Sequence, residues 1–246
     1  MFPIRNTVPT RHAPIVTWWL ILTNALIFLF QISLSRTELE EFLYSLALIP
    51  ARYFAPDAYG DVPTALLDYL PFFTMMFLHS GWLHLILNMW MLWLFGPTIE
   101  DRLGHGPYLA FYLGCGVAAA LAHAVFNPTS TVPALGASGA IAGVLGCFAR
   151  LFPFARVIVL VPIIFIPLFF EIPALVFAGL WFVLQVLQGA TETLMTSTGG
   201  GVAWWAHIGG FLAGLVLGPV LLRSERTYRA YYPDEGILGF DTSGRP

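Results

Sequence analysis

The chain has 246 residues, 58% of them hydrophobic and 10% charged, and its mean hydropathy is +0.76. No water-soluble domain of this length carries such a composition, so the sequence reads as a polytopic membrane protein. A formal net charge of −3, with scattered basic residues that are all Arg, offers neither a nucleic-acid surface nor a polybasic lipid anchor.

A short segment, 1–14, precedes the first apolar window at 15–34, which is near the ~20 residues a full crossing needs. It lacks a small-residue cleavage site, so a retained helix is expected rather than a signal peptide. Further apolar windows fall at 82–103, 108–126, 138–152, 172–188 and 204–222, which predicts an all-α bundle of six transmembrane helices. Between the fourth and fifth, 157–170 is apolar but broken by Pro162 and Pro167 and followed by Glu171 and Pro173. Proline interrupts helix hydrogen bonding, so this stretch is either a surface segment or a seventh crossing. The polar stretch 223–246 is expected to be a frayed tail, giving one membrane domain over 15–222 between two cytoplasmic end segments. Cys115 and Cys147 lie in apolar windows and read as small packing residues.

Six crossings put Arg5, Arg11, Arg102, Arg150, Arg156, Arg223, Arg226, Arg229 and Arg245 on one side and only Arg36 and Arg52 on the other. The positive-inside rule then predicts cytoplasmic termini, and the acidic loop 35–71 lies outside. Ser138 and His207 each open their helix, so they share a membrane face only if the chain crosses once between them. A catalytic pairing therefore favours the surface-segment reading of 157–170.

Three constellations carry chemistry. Ser138, within Gly136-Ala137-Ser138-Gly139, follows the loop signals Pro128 and Pro133 and opens a helix, where unpaired N–H groups and the positive dipole end suit a developing oxyanion. Such a short motif equally suits a serine packed in a helix interface. His207 leads a helix on which Gly210, Gly214 and Gly218 recur every fourth residue. That face can cross closely against Gly139, Gly143 and Gly146 of the serine helix and bring imidazole to hydroxyl. A proton relay or a structural hydrogen bond would also explain an intramembrane histidine. The stretch 74–96 holds His79, His84 and Asn88, with His84 and Asn88 four apart on one helical face. Two donors there could complete an oxyanion hole or form an interhelical hydrogen-bond cluster. Glu100, Asp101 and Glu171 map to the opposite ends of their spans, which favours a Ser–His dyad over a triad. No metal-ligand pattern is present and no cofactor is implied.

Taken together, Phe77-Leu78-His79-Ser80-Gly81-Trp82-Leu83-His84-Leu85 with Asn88, Gly96 through Glu100 and Gly104, Gly136-Ala137-Ser138-Gly139, and Ala206-His207-Ile208-Gly209-Gly210 with Gly214 resemble the rhomboid family of intramembrane serine proteases, in its six-span bacterial form. The resemblance implies a Ser138 nucleophile, a His207 general base, and an oxyanion site from His84, Asn88 and the Ser138 N–H. Gly136, Gly139 and Gly210 support them. It implies single-span membrane-protein substrates cleaved within or beside their helix, a cavity opening to the outer face, and a bracing role for Glu100, while the short N-terminal segment without an evident transit pattern favours a bacterial cell membrane over an archaeal or organellar one. The loop 189–203, with Gly199-Gly200-Gly201, resembles a mobile cap, and the helix carrying Trp181 and Phe182 a lateral gate. One departure stands out: many members carry an aromatic residue one turn after the serine, under the histidine, where this chain has Ala142. Support for His207 is then sought from Trp204, Trp205 or Phe211. A non-catalytic helix-binding relative and a transporter with a His/Ser relay are the competing classes. The intact Ser138, His207, His84 and Asn88 speak against the first, and the lack of inverted repeats against the second.

Overall fold

The computed structural model describes residues 2–60, 63–163, 166–195 and 203–222. In chain order they form β1 (Phe2–Asn6), α1 (Ile15–Ser33), α2 (Arg36–Leu46), the short helices α3 (Ala51–Phe54), α4 (Pro56–Tyr59) and α5 (Pro71–Thr74), then α6 (Trp82–Leu103), α7 (His105–Phe126), α8 (Ser138–Leu151), β2 (Arg156–Ile163), β3 (Ile166–Pro173), α9 (Ala174–Met195) and α10 (Trp204–Leu221). Two 3-10 turns, Leu66–Tyr69 and Met75–Phe77, flank α5. The tail 223–246 and the glycine run Gly199-Gly200-Gly201 lie outside the described residues.

The molecule is a polytopic helical bundle, and among the described residues five helices, α1, α6, α7, α9 and α10, are long and apolar enough to cross a membrane. The fourth predicted span, 138–152, differs. α8 has 14 residues, about 21 Å at 1.5 Å per residue, against a hydrocarbon core of ~30 Å. Every residue from Gly139 to Ala149 is buried, so α8 is a central post sheathed by the other helices rather than a lipid-facing span.

The helical bundle also carries a small three-stranded sheet. Of the stretch 157–170, the described residues 157–163 and 166–170 are strand, neither helix nor seventh crossing. They lie in an antiparallel hairpin, β2 with β3, in register from Arg156 opposite Pro173 to Ile163 opposite Ile166, and β1 adds to its edge from Phe2 opposite Leu160 to Asn6 opposite Val157. The reason is local. Val157 and Val159 are fully buried while Ile158 and Leu160 are partly exposed, a period-two alternation in a run led by three β-branched residues that suits a half-buried strand. Pro162 and Pro167 sit opposite each other near the hairpin's tip. The sheet places the start of the chain and the α8–α9 connection at the same end of the bundle. It also shortens the fifth predicted span, since Ile172 and Pro173 belong to β3.

α1 shows how a lipid-facing helix attaches. Its buried residues are Thr17, Leu20, Asn24, Phe28 and Gln31, one stripe at helical spacing, while Trp18, Trp19, Leu26 and Phe30 are exposed. The polar members of the stripe face inward. Gln31 accepts from the His79 backbone N–H at 3.1 Å and donates to its carbonyl at 3.2 Å. At the other end, Glu100 accepts from the N–H groups of Val16 and Thr17, both at 2.8 Å, and from the Thr17 hydroxyl at 2.7 Å, and lies 2.6 Å from His105 Nδ1. A carboxylate on the free N–H groups of a helix start satisfies donors that hydrocarbon cannot. Neighbouring Asp101 lies 3.1 Å from the His12 N–H and 2.6 Å from its Nδ1.

α8 and α10 cross at backbone contact. A Cβ at Gly210 would overlap the Gly139 carbonyl, one at Gly214 the Gly143 carbonyl, and one at Gly146 the Phe211 carbonyl. Adding a methyl group at Gly214 is therefore expected to lower stability by at least the ~1–3 kcal/mol of overpacking. Gly106→Ala, where a Cβ meets nothing within 4 Å, is the matched control. Unfolding of both variants in detergent micelles checks this, with a lowered midpoint expected for Gly214→Ala alone.

Candidate active site

The Gly139–Gly210 contact lies one residue from Ser138 on α8 and three from His207 on α10. It sets the two side chains side by side at one end of the crossing. His207 Nε2 is 2.8 Å from Ser138 Oγ, a direct hydrogen bond. The histidine is 8% exposed, and the serine is half-buried at the mouth of the site.

Ser138 is held from its N-terminal side. The Gly136 N–H donates to the Met75 carbonyl at 2.9 Å, and Leu48 and Ala134 exchange two backbone hydrogen bonds of 3.0 and 2.7 Å. These contacts fix the loop on the segment that precedes α6. Gly136 adopts φ +130, a conformation that side-chain-bearing residues rarely reach, and a Cβ there would meet His84 Cε1 and Nε2 at 2.8 Å. Helical hydrogen bonding continues with the Ile141 N–H to the Ala137 carbonyl. The N–H groups of the first turn of α8 are thus the ones a helix start leaves without an intrahelical acceptor.

His84 comes to the same place from α6. Its Nδ1 lies 3.0 Å from Ser80 Oγ, and its Nε2 edge lines the Gly136 turn. Asn88 is 6% exposed, and its amide nitrogen donates to the His84 carbonyl at 2.8 Å. That uses one of its two N–H bonds and leaves the other for a further acceptor. His79 is buried against His84, ring centroids 5.1 Å apart, with neither ring nitrogen hydrogen-bonded among the described residues. Its backbone, rather than its ring, is what α1 holds.

The position beneath His207 is where the sequence left a question. Ala142 supplies no ring. Trp204 meets the imidazole edge-on, centroids 6.0 Å apart. Trp205 instead stacks on Phe126 at 4.0 Å, and Phe211 stacks on Phe182 at 4.7 Å. Two residues of α9 do the rest. Trp181 lies 5.7 Å from the imidazole centroid, and Gln185 Oε1 is 2.7 Å from His207 Nδ1. Sequence reading missed Gln185, although a glutamine inside an apolar window, four residues from Trp181 on the same helical face, was a visible signal.

A hydroxyl–imidazole pair inside a multi-pass helical membrane bundle defines the class. Residues 67–224 match the Rhomboid domain family, to which the chain belongs. It is 32% identical over 148 residues to Rhomboid protein 1, mitochondrial, of Saccharomyces cerevisiae, a match covering 58% of this chain and 39% of that protein. It is 38% identical over 98 residues to Presenilin-associated rhomboid-like protein A, mitochondrial, of Danio rerio, covering 39% and 26%. With Rhomboid protease GluP of Bacillus subtilis the identity is 42% over 73 residues, covering 30% and 14%. The matches thus span well under half the length of these relatives.

Gly136→Ala is expected to cost about 1–3 kcal/mol for the backbone conformation alone, besides displacing His84. Chemical unfolding in mixed micelles checks it, and an unchanged midpoint would contradict the described turn.

Proposed function

We propose that this chain is an intramembrane serine endopeptidase that cleaves single-span membrane proteins within or beside their transmembrane helices. The observation that carries the reading is the 2.8 Å contact between Ser138 Oγ and His207 Nε2 inside a membrane bundle. The printed name of the Bacillus relative, a rhomboid protease, supports it.

In this reading His207 Nε2 takes the Ser138 proton as Oγ attacks the scissile carbonyl carbon. The resulting oxyanion is stabilised by the Ser138 N–H at the start of α8, by His84 and by the free N–H of Asn88. Collapse expels the amine, which receives the proton from His207, and leaves an ester on Ser138. Water then attacks the ester, giving its proton to His207, and the serine is released with the second product. A helical peptide bond is shielded by its own hydrogen bonds, so the substrate unwinds at the cut, and small or helix-breaking residues are expected there. Entry past α9 is supported by its being the least buried of the five spanning helices, with Leu180, Val183, Leu184 and Leu187 exposed.

The arginine distribution supports an orientation in a cell membrane with the sheet end cytoplasmic and the Ser138 end extracytoplasmic. Among the described residues Arg5, Arg11, Arg102, Arg150 and Arg156 gather at the sheet end, and Arg36 and Arg52 at the other. Fractionation separates this location from the mitochondrial one that the names of the yeast and zebrafish relatives carry.

Cleavage of a panel of tagged single-span proteins in liposomes tests the activity. Wild type is expected to give product, Ser138→Ala and His207→Ala none, and Asn88→Ala a rate reduced by roughly 10²–10³, the effect of losing one oxyanion donor. Folded wild-type protein that yields no product across the panel would shift the weight to a helix-binding role.

A further inference from the structure

Gln185 is 6% exposed, and both ends of its amide are engaged. Nε2 donates to the Trp181 carbonyl one turn back at 3.1 Å. A carbonyl oxygen only accepts, so the amide nitrogen must face Trp181 and Oε1 must face His207 Nδ1, at 2.7 Å. Oε1 in turn only accepts, so the proton on the imidazole belongs at Nδ1. The bare nitrogen is then Nε2, the one beside Ser138 Oγ. In the other tautomer a lone pair would face a lone pair at Nδ1, and Nε2 would have no capacity to take the serine proton.

We propose that Gln185 is a positioning residue that locks His207 in the Nδ1–H tautomer and aims its Nε2 at Ser138. It does with a neutral amide what a carboxylate does in a Ser–His–Asp arrangement. A neutral partner fits the surroundings, since a carboxylate buried at this depth would need its own compensation. Trp181 and Gln185, four residues apart on α9, bound the imidazole from the same face. The support that Ala142 cannot supply from α8 thus comes from the neighbouring helix. α9 is also the helix past which substrate is proposed to enter, so its seating against α10 and the readiness of the base are one contact.

The inference rests on the Ser138–His207 reading, and the experiment keeps the two apart. Uniformly 15N-labelled histidine is incorporated into wild type, Gln185→Leu and Gln185→Glu in micelles, with the His207 signals assigned by their loss in His207→Asn. The tautomer is read from the nitrogen shifts, and liposome cleavage gives kcat and KM. Wild type is expected to hold the Nδ1–H form. Gln185→Leu is expected to populate both forms and lose on the order of 10–100-fold in kcat, as when the hydrogen-bond partner of a metal-bound histidine is removed, with KM within about twofold. Gln185→Glu, which keeps an acceptor, is expected to retain the Nδ1–H form and more activity than Gln185→Leu. An Nε2–H form in wild type would overturn the proposal, a readout that holds even if the leucine variant misfolds. So would a folded Gln185→Leu with unchanged tautomer or unchanged kcat. Product formation by Ser138→Ala would instead sink the dyad reading itself.

Discussion

The crossing of α8 and α10 is the constraint on which the site depends. Lipid offers no hydrophobic drive for one apolar helix to seek another, so association rests on close packing and on polar contacts. Here the packing reaches backbone on backbone: Gly210 and Gly214 lie against the carbonyls of Gly139 and Gly143. At that separation two short side chains near the end of the seam, a serine and a histidine, meet without long reach or strain. A larger residue anywhere along the seam would part the helices and with them the hydroxyl from the imidazole. The shortness of α8 belongs to the same design: its 14 residues, starting at Ser138, cover less depth than the 22 of α6 and α7 and the 18 of α10 that pack around it.

Around this core three buried polar side chains find their partners on other elements. Glu100 caps the start of α1, Gln31 clamps the backbone of His79, and Gln185 takes up the outer nitrogen of His207. Each joins two separate elements, and each side chain is buried where it does so. The clamp on His79 fixes the turn from which α6 starts, and so places His84 beside Gly136. The β1–β2–β3 sheet closes the opposite end, tied to α6 through Trp90 Nε1 donating to the Pro3 carbonyl at 2.8 Å and Asn6 Nδ2 to the Leu94 carbonyl at 2.7 Å.

Much of this was legible in the sequence because membrane helices announce themselves by composition. The windows at 15–34, 82–103, 108–126 and 204–222 lie close to α1, α6, α7 and α10, and glycines spaced every fourth residue marked the seam before any contact was known. That spacing allowed Ser138 and His207 to meet, and the contact itself is seen only in the structure. What escaped were features whose signals are short or depend on tertiary contact. The alternation in Val157 to Leu160 was masked by uniformly apolar residues, so the prolines argued against helix without arguing for strand. The Ser35-to-Glu38 spacing is a capping box, and it starts the exposed helix α2 within what read as loop. Gln185 vanished into an apolar window, and its burial and 2.7 Å contact with His207 Nδ1 distinguish it from exposed Gln188 on the same helix.

The central claim is that the buried imidazole makes Ser138 a nucleophile, and the most direct measurement is the site of covalent modification. Purified protein is treated with a fluorophosphonate in micelles, and the modified peptide is sequenced by mass spectrometry. The account predicts one adduct, on Ser138, that disappears in folded His207→Ala. A folded wild type without adduct, or labelling of Ser138 that survives the loss of His207, would contradict it.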